Sequence, residues 1–251
     1  MLLTIISSAA KLHVHPRAVS VAGSHATPSR VALPFLGDAM RTAIYVDGFN
    51  LFHSLLEGRR GVKWLDLEAM ARGALSAQNQ ICFVRYFTAR VTATASDPNI
   101  ATRQDVYLRA LTARGVLIHE GNFTEREKTR RLVNPPPPPA SRYARVWHRE
   151  EKGSDVNLAV HLLNDAWRDA YDCAVVISND SDLAEACHMV RAQKKIVGLL
   201  CPIASRPTVQ LRNNTNFHRH ITQTHLTNSQ LSDPVIDPHS GRAIHCPPSW
   251  K

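Results

Sequence analysis

Ile44-Tyr45-Val46-Asp47-Gly48-Phe49-Asn50 is a short apolar run that ends abruptly in an acid, a glycine and an amide. The pattern predicts a buried strand delivering polar side chains to its C-terminal tip, the edge at which open α/β sheets keep their chemistry. Strand-to-helix turns use Asp, Gly and Asn for conformational reasons too, so one such tip decides little. The chain repeats the device at Ala174-Val175-Val176-Ile177-Ser178-Asn179-Asp180-Ser181-Asp182. Between the two, Lys152-Gly153-Ser154-Asp155 sets an acid at the start of a strongly apolar helix. Three acidic tips in one chain argue for a site.

Working outward, strands are expected at Thr42–Val46, Ile81–Phe87, Val116–Glu120, Ala174–Ile177 and Ile196–Leu200, the last read as the final parallel strand. Helices are expected over Phe49–Leu56, from Leu67 behind an Asp66 N-cap, over Ile100–Arg114 closed by Gly115, over Ser154–Asp169 and after Ser181, with Ser154 and Ser181 as caps. A short helix is expected from Ser205 to Leu211 and a short segment near Phe217–Ile221. Strand alternating with helix is the signature of a mainly parallel sheet built from right-handed crossovers, with helices on both faces.

Residues 122–151 interrupt that alternation. Arg126, Lys128, Arg130, Arg131, Arg142, Arg145 and Arg149 surround the proline run Pro135–Pro139, which enters neither a helix nor a sheet interior. A stiff exposed loop or hairpin is expected, with Tyr143–Trp147 as a short returning strand and the prolines as a spacer. The expected organisation is a leader over residues 1–40, a domain over 41–225 carrying this insertion, and an irregular tail over 226–251. Residues 1–40 hold one acid, Asp38, against Lys11, Arg17 and Arg30, a composition shared by organellar transit peptides and by untranslated leaders. Met40 stands just before the first strand, where the functional product is expected to begin.

The 251 residues carry 30 Lys and Arg against 21 Asp and Glu, a formal charge of +9. That balance describes a folded basic protein and favours a polyanionic partner, nucleic acid first. Cys82, Cys173, Cys187, Cys201 and Cys246 are odd in number and contain no Cys-x-x-Cys pair. They read as reduced thiols in a cytoplasmic setting and argue against a zinc site. No run reaches the roughly 18 apolar residues of a membrane span.

In a doubly wound sheet the tips of neighbouring strands converge, which would bring Asp47, Asp155, Asp180 and Asp182 into one small volume. Clustered carboxylates repel one another and raise each other's pKa unless a cation neutralises them. Oxygen-only donors without His or Cys suit Mg²⁺ or Mn²⁺, and such metals activate water for in-line attack on a phosphodiester.

Tyr45-Val46-Asp47-Gly48-Phe49-Asn50, then Lys152-Gly153-Ser154-Asp155-Val156, then Ile177-Ser178-Asn179-Asp180-Ser181-Asp182-Leu183 resemble, in order and spacing, the three motifs of the NYN domain, the LabA-like branch of the PIN-like nuclease superfamily. The resemblance covers about residues 41–225. It implies a Rossmann-like (PIN-like) α/β sheet, a divalent metal at the acids, and endoribonuclease activity on structured RNA or mRNA. It further implies Asp47, Asp155, Asp180 and Asp182 as metal ligands, Asn50 as a positioning group, and Ser178 and Ser154 as supports behind them. Arg126, Arg130, Arg131, Arg142, Arg145 and Lys152 are the expected RNA contacts, and the assembly left open is a homodimer.

Each residue has a plainer reading. An acid in the first turn of a helix stabilises its dipole by about 0.3–1 kcal/mol, which would account for Asp155 alone. With Ser181 as the cap, Asp180 and Asp182 are surplus to capping. His218 and His220 would share one face of an extended segment, but without a third ligand they read as solvated. The alternative function is an RNA-binding adaptor with little catalysis. A phosphatase is disfavoured because Phe49, not an acid, stands two residues after Asp47.

Overall fold

A computed structural model of the chain describes residues 39–202 and 206–251. The expectations for the leader fall on residues 1–38, outside the described residues, as does Ser205, the expected start of the short helix.

β1 (Met40–Asp47) is the pivot of a seven-stranded sheet. On one side the order runs through β2 (Asn79–Ala89), β3 (Leu117–Arg131) and β4 (Tyr143–Lys152). On the other it runs through β5 (Cys173–Ile177), β6 (Ile196–Cys201) and β7 (Phe217–His220). Every pairing is parallel except β3 with β4. The chain therefore winds outward from β1 in one direction and restarts beside it in the other. The crevice at the β1/β5 tips is the topological switch point where open α/β sheets bind ligands.

Side chains of the central strands alternate between two cores, as strand geometry requires. Ile44, Val46, Val175 and Ile177 point into one, beneath α2 (Leu67–Ala74), α3 (Ile100–Ala113) and α7 (Gln223–Thr227). Asp66 caps α2 as the sequence implies, its carboxylate accepting the Ala69 N–H at 3.0 Å. Residues 226–251 also pack here, with Leu231, Val235, Ile244 and Cys246 buried and two short strands, β8 (Val235–Ile236) and β9 (Ala243–Ile244), paired antiparallel. Ala43, Tyr45, Ala174 and Val176 point into the other core, under α4 (Ser154–Trp167), α5 (Ala184–Ala192) and α6 (Val209–Asn213). No helix of the described residues is long and apolar enough to cross a membrane.

The second core holds a polar knot. Asp165, 3% exposed on α4, accepts the Tyr45 hydroxyl at 2.7 Å and two guanidinium N–H groups of Arg85 at 2.7 and 3.0 Å. Arg85 also reaches His119 at 3.0 Å, and the His119 and His161 rings lie 3.9 Å apart between centroids. Burial, then the neighbouring His161 and the Arg85 charge, push the His119 pKa down to about 4, and burial with the Arg85 charge lowers that of His161, so the tilted pair of rings is neutral at pH 7.

Three departures from the expected elements shape the site. The expected helix over Phe49–Leu56 is a single turn, α1 (Gly48–Leu51), that opens into a π-helical turn at Phe52–Leu56. β7 extends the parallel sheet one strand beyond the expected last one. β3 does not stop at Glu120: where β2 ends, opposite Gly121, it continues as a two-stranded arm whose residues 122–131 pair with 152–143 of β4. The proline run lies between the arm's two strands, at its far end.

Candidate active site

Because β4 runs antiparallel, its end returns to the edge where β1, β2 and β5 present their C-terminal tips. One residue later α4 begins, so Asp155 joins the edge that carries Asp47 and Asp180. Val46 pairs with Ile177, which sets Asp47 beside Ser178. The buried Ser178 hydroxyl donates to Asp47 Oδ2 at 2.9 Å and accepts the Asp180 N–H at 3.0 Å, tying two tips together. Asn50 Oδ1 accepts the Asn179 N–H at 3.0 Å and binds the same tips from the first turn of α1. Asn179 Oδ1 in turn accepts the Thr208 N–H at 3.0 Å and so holds the start of the α6 segment.

Capping differs from the sequence expectation. The cap before α5 is Asp180, not Ser181: its carboxylate accepts the Asp182 N–H at 3.0 Å and heads a 3₁₀ turn over Ser181–Leu183. Aspartate and serine are equally competent caps, and the bend that follows Ser178 puts the aspartate in the capping position. Asp180 is thus not surplus to capping. Ser154 is the first helical residue of α4, not its cap. Gly153, at φ +100°, occupies the cap position, where a side chain would be strained. Ser154 is buried, and its N–H donates to Glu151 Oε1 at 3.1 Å.

Asp47 is buried and doubly held, since Oδ1 accepts the Asn50 N–H at 2.9 Å. Burial raises its pKa; the hydrogen bonds from Asn50 and Ser178 pull against that, and the Asp180 charge adds to it. Asp155 is half-buried and makes no hydrogen bond among the described residues. Its pKa is pushed up to about 6, first by burial and then by the charges of Asp47, Asp180, Glu151 and Asp182 in that order. The expected acids therefore share one electrostatic field. Asp182 lies exposed at its rim.

Glu151 is the acid that sequence reading missed. It precedes the Gly-Ser-Asp motif by two residues, and its nearness to that motif is the one signal the sequence offered. A Cβ on the buried Gly121 would meet Glu151 Oε1 at 2.6 Å and the Lys152 carbonyl at 2.7 Å, so only glycine lets the arm's foot close against α4. Gly121→Ala is expected to cost about 1–3 kcal/mol as overpacking does, read as a lower urea midpoint at unchanged slope, and to weaken any activity that depends on Asp155.

Among the described residues, no three His, Cys, Asp or Glu side chains lie close enough together to hold a metal as they stand. Asp47 and Asp180 instead turn oxygens onto backbone N–H groups of the turns they cap. By donor type the set still fits a hard divalent cation: carboxylates only, with the Asp155 pKa raised by burial and then by its neighbours' charge.

The expected RNA contacts separate on the arm. Directly opposed residues share a face, so Arg126, Arg130 and Lys152 lie on one side and Arg131 and Arg145 on the other; Arg142 precedes β4. Lys152, with Lys128 and Arg126, gathers around Glu150, which sits 3.4 to 4.0 Å from their cationic nitrogens. Arg145 pairs with Glu127 across the ladder. Arg130, Arg131 and Arg142 have no ion pair among the described residues.

Beside the acids lies a cavity of about 510 Å³, lined by Gly48, Phe49, Phe52, Tyr86, Phe123, Arg149 and Trp250 among others. A Cβ on Gly48 would meet the Tyr86 ring at 2.6 Å, so the residue after Asp47 is glycine because that ring fills its space.

A family model described as the NYN domain matches residues 41–221. A relative from Pseudomonas putida, named 6-hydroxy-3-succinoylpyridine 3-monooxygenase HspA, is 28% identical over 219 residues, 78% of this chain and 70% of that protein. A crystal structure of a protein of unknown function from Vibrio parahaemolyticus aligns with 78% of this chain and 100% of its own at 13% identity and a TM-score of 0.46.

Proposed function

Since the chain belongs to the NYN domain family, part of the PIN-like nuclease superfamily, we propose that it is a divalent-metal-dependent endoribonuclease. The observation that carries the reading is the shared field of Asp47, Asp155 and Asp180 at the β1/β5 switch point, with Asp182 at the rim. Asp47, Asp155, Asp180 and Asp182 would hold Mg²⁺ or Mn²⁺. When bound, the metal supplies charge neutralisation at the phosphate and a water of lowered pKa. Ser178 and Asn50 fix where the Asp47 and Asp180 carboxylates stand, which keeps the geometry from being reorganised during the reaction. Unpaired cations on the arm would draw the RNA backbone toward this edge.

Calorimetric titration of the full chain with Mn²⁺ tests the metal reading. Saturable binding is expected in the wild type and at least tenfold weaker binding in Asp47→Asn, as loss of a ligand or of its supporting hydrogen bond weakens metal sites by roughly 10–100-fold. Equal binding by both proteins would remove these acids from the role.

A second reading rests on the cavity. Its aromatic, partly cationic lining suits one substituted aromatic ring, and the Pseudomonas relative carries the name of an enzyme acting on a hydroxylated pyridine. Tight binding of a hydroxypyridine, with no affinity for RNA, would favour it.

A further inference from the structure

The arm's register puts aromatics and cations in one row. On β4, Tyr143, Arg145, Trp147, Arg149 and Glu151 alternate onto one face, joined there by Phe123, Glu125, Glu127, Thr129 and Arg131 from β3. Glu127 lies opposite Trp147 and is ion-paired to Arg145, so that among the described residues the unpaired cation at the far end is Arg131. Tyr143 is 58% and Trp147 70% exposed. Two large aromatic rings exposed on the same face of one strand, alternating with arginines, have the composition of a single-strand platform. Every base offers a π-face to stack on, and a cation beside it meets the phosphate.

The row runs into the cavity beside the acids. At its foot the Arg149 guanidinium lies 4.2 Å over the Phe123 ring, and Phe123 meets Phe49 edge-on at 5.7 Å. Arg149 Nη2 is sealed from solvent and has no hydrogen-bond partner among the described residues, although a guanidinium N–H in that position normally has one. Lys63 lies 5.9 Å over Phe52 across the same cavity. The acids of the lining are engaged, Glu57 with His53 and Asp97 with Arg103. Phe52 stands in the π-helical turn, a widened helix form that gathers at functional sites. The net character is an aromatic-lined cavity with spare positive charge from Lys63 and Arg149, which matches a base carrying its phosphate better than an uncharged ring.

We propose that this face and the cavity at its foot form a track for single-stranded RNA, with bases stacked on Tyr143 and Trp147 and one unstacked base in the cavity beside Asp47. The proposal rests on the ribonuclease reading and narrows its substrate to unpaired RNA. A duplex keeps its bases stacked on one another and offers nothing to Trp147.

Binding of the full chain in EDTA to a labelled, unstructured RNA of about 12 nucleotides, compared with the same strand in a duplex, is the test, read by fluorescence anisotropy. Single strands should bind more tightly than duplex. Trp147→Ala should weaken single-strand binding about tenfold, as loss of one stacked base does, Trp147→Phe should retain most of it, and duplex binding should not change. Trp147 is exposed, so the variant folds. Wild-type affinity in Trp147→Ala, or equal affinity for duplex, overturns the track. Binding to a hydroxypyridine with none to RNA also overturns it. The same samples in Mn²⁺ separate the two readings. Trp147-dependent binding without cleavage would leave the track and remove the nuclease; cleavage indifferent to Trp147 would do the reverse.

Discussion

Asp155→Asn is expected to lower metal-dependent RNA cleavage by about 10²–10⁴-fold, since a lost ligand forfeits several kcal/mol of transition-state charge stabilisation, while the metal-free protein becomes no less stable. The second half separates a functional acid from a structural one. Asp155 makes no hydrogen bond among the described residues, and its folded pKa of about 6 stands above the roughly 3.9 of an unfolded aspartate. The folded state therefore holds that proton more tightly, and between about pH 4 and 6 stability falls as pH rises. Discounted for a half-exposed group, the penalty at pH 7 is about 1 kcal/mol. The favourable helix-dipole contribution that asparagine would lose is about 0.3–1 kcal/mol. In EDTA at pH 7 the variant should melt at or slightly above the wild-type temperature, and its melting point should decline less between pH 4 and 7. A first-turn acid with a dipole role alone would show the opposite pair, intact activity and a melting point about 2–4 °C lower for each 1 kcal/mol lost.

Asp165→Ala is expected to cost about 3–5 kcal/mol, a large part of a domain stability of about 5–15 kcal/mol. The substitution leaves the Arg85 guanidinium and the Tyr45 hydroxyl without the carboxylate that both use. A buried cation stripped of its partner is costlier than the pair was worth. Arg85→Met combined with Asp165→Ala should therefore be more stable than Asp165→Ala alone. Urea unfolding of the single and double variants gives the comparison; additive losses would mean that the two residues act separately. The same knot fixes the inner face of α4 to β1 and β2, and α4 carries Asp155. Loss of Asp165 should then reduce activity in the folded fraction as well.

The parallel core was legible because it is buried. Ile44–Val46 and Ala174–Ile177 are apolar without interruption; the first ends at Asp47, and the second leads through Ser178 and Asn179 to Asp180. Of the arm, a hairpin and its returning strand at Tyr143–Trp147 were legible, but the β3 half was not, for the complementary reason. Glu125-Arg126-Glu127-Lys128-Thr129-Arg130-Arg131 shows no apolar alternation because this part of β3 buries little; the ladder and ion pairs such as Arg145 with Glu127 hold it. The expected strand over Tyr143–Trp147 already aligns Tyr143, Arg145 and Trp147 by its alternation, but Arg149 and Phe123 join them only because the strand reaches Lys152 and pairs with β3. The motif acids Asp47, Asp155 and Asp180 were found by their place at element ends, and the structure brings them to one edge. Which residue caps was decided by a local bend, and Asp180 rather than Ser181 took the N–H. The Tyr45, Arg85 and Asp165 knot joins residues 80 to 120 apart in sequence, a separation at which periodicity carries no information.

A metal-dependent ribonuclease centre at the β1/β5 tips needs both its cation and its acids. Its most direct test follows a labelled unstructured RNA over time with the full chain in Mn²⁺, in EDTA, and with Asp180→Asn in Mn²⁺. Internal cleavage is expected in the first reaction alone. Cleavage that persists in EDTA or in the variant, or intact RNA in all three reactions, would contradict it.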